Sequence, residues 1–317
     1  MSDNDVSQHR SALAKPAVSA IIPTYQREQI LIDTLHYLLR LPVPPVEIVV
    51  VDQTLKHEPA MESELTHLAT QGRIRWIRLA RPSITQAMNV GVELARGDVV
   101  LFLDDDIIPD PALIAAHVSA HEAGSNIVAG QVLQPGEEPF IDVGGVGEFL
   151  FRSSRRQNIS ELMGGNFSIK RELALKLGGF DENFVHVAYR FEAEFASRAL
   201  AAGEKILFEP AASIRHLRAS KGGTRSYGEH LTTIKPSHSV GAYYYFIRAR
   251  SVPRRIAGIA LRPFRAVRTR HHLLHPWWIP ATLIAELLGF IWALFLALRG
   301  PRLMTGNGGP IGRHGPV

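Results

Sequence analysis

The sequence predicts an α/β fold, a mostly parallel sheet flanked by helices, followed by a helical C-terminal region that is both basic and apolar. Three observations predict it. Short continuous apolar runs alternate with stretches whose apolar residues fall at helical spacing, the pattern of parallel strands joined by helical crossovers. Three of the runs end in polar groups, Thr24-Tyr25-Gln26-Arg27, Asp52-Gln53-Thr54 and Asp104-Asp105-Asp106, and ligands of such sheets sit beyond the carboxyl ends of the strands. The charge is also divided. Residues 215–317 hold 16 of the 35 Lys+Arg but two of the 30 Asp+Glu, so they carry +14 while the first 214 residues carry −9.

Element by element, Val18–Pro23 is a buried strand ending in a Pro-Thr-Tyr turn. Gln29–Leu41 is a helix that stops before Pro42-Val43-Pro44-Pro45. Glu47–Val51 is a second buried strand closed by Asp52. Ala60–Thr70 reads as a helix, Arg73–Leu79 as an alternating strand and Ile84–Ala95 as a helix stopped by Gly97. Val99–Leu103 is a further buried strand, and Pro111 opens the next helix, where proline is tolerated in the first turn. Residues 1–15 are polar without an apolar core and read as a loose tail rather than a signal peptide. With 46% hydrophobic and 21% charged residues the bulk is globular. The absence of cysteine excludes disulfides, thiolate metal sites and cysteine nucleophiles, and fits a reducing compartment.

The polar strand ends suggest chemistry. Alternate residues of an extended segment point the same way, so Asp104 and Asp106 converge while Asp105 faces away. Two convergent carboxylates suit a hard divalent cation, Mg²⁺ or Mn²⁺, with room for substrate phosphates; a solvated acidic turn is the plain alternative. Asp52 suits the ring N–H of a pyrimidine base, or a turn. Pro23, Thr24, Tyr25 and Arg27 offer a hydroxyl, an aromatic face and a guanidinium, or an ordinary strand-to-helix turn.

Taken together, VSAIIPTYQR (18–27), EIVVVD (47–52), AMNVGVELARGDVVLFLDDD (87–106), GGNFSIKRELALKLGGFDENF (164–184) and EAEFASRALAAGEKILFEPAASIRH (192–216) resemble the family 2 inverting glycosyltransferases with the GT-A fold, over about 200 residues and in that family's order. The resemblance implies a domain at 17–220 with a Rossmann-like sheet. It implies that Pro23, Thr24, Tyr25 and Arg27 line a nucleotide pocket with Asp52 on the base, and that Asn89 backs the donor site. Asp104 and Asp106 would form a metal-binding DxD pair, with Asp105 between them on the donor side. Gly165 and Asn166 would lie under the donor sugar and acceptor, and His216 would be a third metal ligand. Glu192 would be the base that deprotonates the acceptor hydroxyl, with Glu194 as the fallback. Three positions depart from the family: Phe191 where an acid is common, Glu192 where Asp is commoner, and Met88 where many relatives carry Arg.

In the region 221–317, Tyr243-Tyr244-Tyr245-Phe246 precedes Arg248, Arg250, Arg254, Arg255, Arg262, Arg265, Arg268 and Arg270. The apolar segment 277–298 then has Glu286 as its only charge. An anionic membrane surface, packing on the catalytic domain or a second subunit, and nucleic acid are the three readings. No nucleic-acid motif accompanies the arginines, so nucleic acid is not expected. Glu286 in mid-helix and Arg302 and Arg313 beyond it argue against a full span and favour a monotopic or re-entrant anchor. The expectation is a transferase peripheral or monotopic, or else single-pass, at the cytoplasmic face of a membrane. It would move a sugar from a UDP- or dTDP-sugar to a polysaccharide or lipid-linked acceptor. A nucleotide-sugar sensor without turnover is the rival. A nucleotidylyltransferase is weaker, because Pro23–Gln29 lacks the glycines of a phosphate loop.

Overall fold

A computed structural model describes residues 15–141, 149–249 and 252–304. Most of the expected tail, together with Arg250 and Arg313, lies outside them. Nine strands form one sheet: β1 (Val18–Thr24), β2 (Glu47–Asp52), β3 (Arg75–Arg78), β4 (Val99–Leu103), β5 (Ile107–Pro109), β6 (Ile127–Leu133), β7 (Gln157–Ile159), β8 (Asn166–Lys170) and β9 (Ile206–His216). Their order is β3-β2-β1-β4-β8-β6-β9-β5, with β7 also on β9. The half from β3 to β4 is parallel, as the alternating pattern predicts. Beyond β4 the sheet is mixed: β8 runs antiparallel to β4 and β6, and β9 is parallel to β6 but antiparallel to β5 and β7.

The helices are α1 (Gln29–Leu39), α2 (Pro59–Thr70), α3 (Ile84–Leu94), α4 (Leu113–Glu122), α5 (Arg171–Lys176), α6 (Phe191–Ala201), α7 (Ser239–Ala249), α8 (Val252–Val267), α9 (Arg270–Leu274) and α10 (Ile279–Leu298). β1, β2 and β4 are buried almost throughout, which is why they read as unbroken apolar runs. Ser83 caps α3 by accepting from the Gln86 amide. Pro111 falls two residues before α4 rather than in it, because Asp110 Oδ1 holds the Ala112 amide in a turn at 2.8 Å. Under the sheet Phe102 stacks on Phe167 at 4.8 Å, with Phe180 and Phe195 completing an aromatic cluster.

The C-terminal helices are not a separate unit. α7 packs on α6, and α10 packs on α7 and α8. Residues 300–304 return to the segment 178–183 between α5 and α6. The Arg302 amide donates to Asp181 Oδ1 (2.9 Å), the Met304 amide to the Gly178 carbonyl (2.8 Å), and Asn183 Nδ2 to the Gly300 carbonyl (2.7 Å). One face of the apolar segment is turned inward, where α10 packs on α7 and α8. Thr282, Ala285, Glu286, Gly289, Ala293 and Leu296 are buried, while Leu283, Leu287, Ile291 and Phe295 are exposed. The mid-helix charge sits on the inner face, where Glu286 pairs with Arg262 of α8 at 2.8 Å. Pro276–Leu298 is long and apolar enough to cross a membrane.

Candidate active site

Register brings the polar strand ends to one rim. Thr24 pairs with Asp52, and Val18 with Val99, which sets Asp105 level with Thr24. Thr24 Oγ1 donates to Asp105 Oδ2 at 2.7 Å. Above this rim lies a cleft of about 1100 Å³, lined by Pro23, Thr24, Tyr25, Arg27, Gln53, Ser83, Met88, Asp104–Asp106, Gly164, Gly165, Glu192 and His216 among others.

The mixed half of the sheet completes the acidic cluster. Pairing of β5 with β9 places Ile107 opposite His216, and so His216 beside Asp106. His216 Nε2 lies 3.0 Å from Asp106 Oδ1 and 3.6 Å from Asp104 Oδ2, and one ligand atom from each residue lies within 4.8 Å of the others. The donor set fits Mg²⁺ or Mn²⁺: two carboxylates and an imidazole on one spot. Gln134 Oε1 faces His216 Nδ1 at 3.1 Å, a partner that would hold the proton on Nδ1 and free the Nε2 lone pair whenever a cation replaces the Nε2 hydrogen bond to Asp106. The Ala219 amide occupies Asp106 Oδ2 at 2.7 Å, leaving Oδ1 toward the imidazole. Burial acts to lower His216, but the hydrogen bond to Asp106 and the charges of Asp104 and Asp106 outweigh it and raise its pKa. Burial raises Asp104 and brings Asp105 to about 7 despite Arg27 beside it.

The antiparallel pairing of β4 with β8 seats Gly164 and Gly165 against Asp104, whose amide donates to the Gly165 carbonyl at 3.2 Å. A Cβ on Gly165 would stand 2.0 Å from Asp104 Oδ2, so only glycine leaves that carboxylate its place. Glu192, in the first turn of α6, reaches the same floor; a Cβ on Gly164 would be 3.1 Å from its Oε1. Burial and the charge of Asp104 outweigh its backbone hydrogen bonds and raise Glu192 to about 7. Glu194 turns inward and holds Arg198 at 2.8 and 3.0 Å. That separates the two acids, since i and i+2 share no helix face. Phe191, the departure from the family's acid, packs edge-on against Phe180 at 5.6 Å, where a carboxylate would be buried in the aromatic cluster.

Three expected site residues, Asp52, Asn89 and Asn166, face elsewhere, and a fourth, Arg27, is occupied by protein partners. Asp52 is fully buried and does not line the cleft. Its Oδ2 accepts from Trp76 Nε1 (2.9 Å) and meets His57 Nε2 (2.6 Å), and its Oδ1 takes the Thr54 amide (2.8 Å), so three of its roughly four acceptor sites are taken by the protein. His57 lies between Asp52 and Glu28. Burial works to lower it, but both carboxylates together raise it. Arg27 lines the cleft but spends its guanidinium on Asp105 (3.1 Å), Asp106 (3.5 Å) and the Lys221 carbonyl, which balances the crowded acids. Asn89 clamps Phe180 through its amide and carbonyl (2.8 and 2.9 Å). Asn166 donates to the Gln131 and Ala212 carbonyls (3.0 and 2.8 Å) beneath the glycine pair.

Sequence reasoning missed Gln134, which carries no motif. It also missed the strap 217–228, whose Gly222-Gly223 pair was the available signal. The Leu217 and Gly223 amides donate to the Asp106 and Tyr25 carbonyls (2.8 and 2.7 Å), carrying Arg218, Arg225 and Tyr227 over the cleft. The strap crosses the domain limit expected at 220. Five non-glycine residues have left-handed backbones among the described residues: Gln26, His186, Ala188, Arg190 and Arg218. Four line the cleft and Gln26 sits between two that do. At roughly 1–3 kcal/mol each, this strain is concentrated at one place, as in functional sites generally.

Residues 19–178, half of the chain, match the profile of glycosyl transferase family 2. The uncharacterized protein y4gI of Sinorhizobium fredii is 28% identical over 66% of this chain and 25% of its own. The glucosyl-dolichyl phosphate glucuronosyltransferase of Haloferax volcanii is 26% identical over 52% of this chain and 56% of its own. The chain thus spans a quarter to about half the length of these relatives. Two solved structures share the fold at 17% identity. One is the mannosyltransferase PcManGT of Pyrobaculum calidifontis with GDP-Man and Mn²⁺ (TM-score 0.53, over 91% of this chain and 80% of that one). The other is GalNAc-T7 with UDP, GalNAc and Mn²⁺ (0.54, over 65% and 44%).

Proposed function

The chain belongs to glycosyl transferase family 2, and from that premise we propose that it transfers a sugar from a UDP- or dTDP-sugar to a glycan or lipid-linked acceptor, with inversion and with a divalent metal. Its fold is GT-A and it is a glycosyltransferase. One observation carries the finer reading. Glu192, held near pH 7, and the Asp104–Asp106–His216 cluster stand over the same glycine pair in one cleft.

Asp104, Asp106 and His216 would hold Mg²⁺ or Mn²⁺, which when bound would supply Lewis-acid neutralisation of the diphosphate leaving group. Arg218 and Arg225, exposed on the strap, face the same phosphates. Thr24, Tyr25, Gln53 and Ser83 line the nucleoside end, and Asp52 acts there only through the turn it fixes at Thr54. Glu192 takes the proton of the acceptor hydroxyl as that oxygen attacks the anomeric carbon and the nucleoside diphosphate departs from the opposite face. A base whose pKa lies near the working pH contributes roughly 10²–10⁴-fold. The exposed face of α10 and the basic residues beside it suit an anionic membrane surface. We place the protein there as a peripheral, monotopic enzyme on the cytoplasmic side, consistent with its lack of cysteine.

The test is nucleotide release from a panel of UDP-, dTDP- and GDP-sugars with Mn²⁺, with and without EDTA, beside Asp106→Ala. Metal-dependent release of UDP or dTDP, abolished in the variant, is expected. Release from GDP-sugars alone would overturn the donor assignment, and release insensitive to EDTA and to the variant would overturn the metal site.

A further inference from the structure

The corner between β1 and α1 forms the nucleoside side of the cleft, where Tyr25 and Arg27 line it. That corner does not hold itself. Gln26 has a left-handed backbone (φ 54°), and the side chain of Glu28, the residue before α1, makes no capping bond to the helix. Segment 52–57, at the end of β2, supplies what the corner lacks at two points. Thr54 Oγ1 accepts from the Gln26 amide at 2.8 Å, and His57 Nδ1 lies 3.1 Å from Glu28 Oε2. Between these pins stands Arg27, with its guanidinium on Asp105 and Asp106.

Both pins lead back to Asp52. Its Oδ1 takes the Thr54 amide at 2.8 Å, and its Oδ2 lies 2.6 Å from His57 Nε2. Asp52, His57, Glu28 and Trp76 all stand behind the cleft lining rather than in it. The imidazole, its side chain fully buried, thus bridges two carboxylates, of which Asp52 is buried and Glu28 is 31% exposed. An ionised carboxylate only accepts, so the bridge stands when both ring nitrogens carry protons. A neutral ring has one N–H and would turn a lone pair on one of the two oxygens. Glu28 can swing to water and Asp52 cannot, so the pin on the corner is the one released. Burial acts to lower His57, but the hydrogen bonds and charges of Asp52 and Glu28 outweigh it and raise the pKa above the ordinary 6.5. From β3, the tilted Trp76 ring lies 6.1 Å from that of His57, with Arg78 over its far side at 5.2 Å and paired to Glu62 at 2.7 Å.

We propose that His57 is a positioning residue for the nucleotide-sugar donor: as an imidazolium it fastens the corner at residues 25–28, and donor affinity falls when the ring loses its charge. This rests on the transferase reading and adds to it a residue that touches neither the donor nor the metal ligands. The bridge is complete below the raised pKa of His57 and is lost above it. The sense is opposite to that of Glu192, which gains its function on losing a proton near pH 7. With rising pH, kcat should therefore climb and level while the donor KM grows.

The test uses the full chain with Mg²⁺. Binding of UDP and of dTDP is measured by calorimetry from pH 6.5 to pH 8.5, beside KM and kcat for the donor that the panel selects. Loss of one charge-assisted hydrogen bond should make the dissociation constant about three- to tenfold larger at pH 8.5 than at pH 6.5. His57→Gln carries its donors on one atom and cannot span the two carboxylates. It should bind as weakly at pH 6.5 as the parent does at pH 8.5, with no further alkaline loss and with kcat little changed. Glu28→Gln removes the need for charge, since its amide can donate to Nδ1 of a neutral ring whose Nε2–H serves Asp52. Its binding at pH 6.5 should stay within a few-fold of the parent's, and the alkaline loss should vanish. Glu28 is partly exposed, so this variant decides the matter even if His57→Gln does not fold, which thermal melts check. An alkaline loss that persists in Glu28→Gln belongs to the nucleotide or the metal and overturns the inference. So does a His57→Gln protein that melts earlier yet keeps the parent's donor KM at both pH values. If neither nucleotide binds at any pH, the transferase reading falls and this one with it. Binding that is flat with pH in the parent leaves the transferase standing and removes this inference alone.

Discussion

At the scale of single residues, the four groups to which we assign the chemistry were legible because each has a positional rule. Asp104 and Asp106 share a face by strand alternation, His216 ends a strand, and Glu192 opens a helix. Asp52, Asn89 and Asn166 carry the same motif signal, yet the structure turns them inward. A motif fixes a residue's place on the chain, not the partners that saturate it, and Asp52 was claimed by His57 and Trp76, which no spacing rule announces. Two predictions belong here. Glu192→Gln should reduce transfer by roughly 10²–10⁴-fold while donor affinity, measured by calorimetry with Mn²⁺, stays within a few-fold. In the parent the rate should climb as pH rises through about 7, where Glu192 loses its proton, and then level; in the variant that limb should be gone. Gln134→Ala frees His216 to take the wrong tautomer and should weaken Mn²⁺ binding roughly 10–100-fold, read by tryptophan quenching or calorimetry, with circular dichroism unchanged.

Among the elements, the parallel half was readable from its apolar runs to within two residues at most ends, whereas β5, β7 and β8 are short and half-polar or follow loops, and their pairings are set by distant partners. The hidden feature is the underside of α4. His117 Nδ1 and His121 Nε2 both lie 2.8 Å from Ser168 Oγ, while His117 Nε2 meets Asn166 Oδ1 at 3.1 Å and His121 Nδ1 the Ser125 carbonyl at 2.8 Å. Burial lowers His117 to about 3 and His121 to about 4, so both stay neutral in the folded protein. Unfolded, each takes a proton below about 6.5. The unfolded chain thus binds more protons, and stability present above pH 6.5 drains away as pH falls toward the folded values. The loss is at most about 1.4 kcal/mol per pH unit for each histidine. Thermal melts from pH 7 to pH 4.5 should show the midpoint falling, and His117→Gln/His121→Gln should flatten the fall even if its midpoint at pH 7 is lower. A slope as steep in the double variant would place the acid sensitivity elsewhere.

For the whole molecule, the charge division suggested a catalytic domain ending near 220 and a basic appendage, and composition alone offers no other cut. The contacts tell a different story, since sequence-distant hydrogen bonds tie residues 300–304 to the loop that leads into Glu192. Tyr244 donates to Asp181 Oδ2 at 2.6 Å, Arg302 and Met304 brace Asp181 and Gly178 from the other side, and Met304 packs on Gly179. Arg198 grips the Gly179 carbonyl from α6 at 2.7 Å, so the brace reaches the helix that carries Glu192. Truncation after residue 275 removes α10 and this brace but leaves every residue of the cluster in place. It deletes the hydrogen bonds Arg302–Asp181, Met304–Gly178, Glu182–Arg302, Asn183–Gly300 and Ser239–Ala285, at about 1 kcal/mol each, and uncovers the face of α7 that α10 buries. In a protein of this size each kcal/mol moves the midpoint by about 2–4 °C, so a fall of roughly 10 °C or more is expected. Transfer should be lost more steeply than Mn²⁺ binding, because the loop into Glu192 is released while Asp104, Asp106 and His216 stay on the sheet. A fragment 1–275 with the parent's melting temperature and rate would show that the C-terminal helix is an appendage after all, and that the domain boundary read from charge was the physical one.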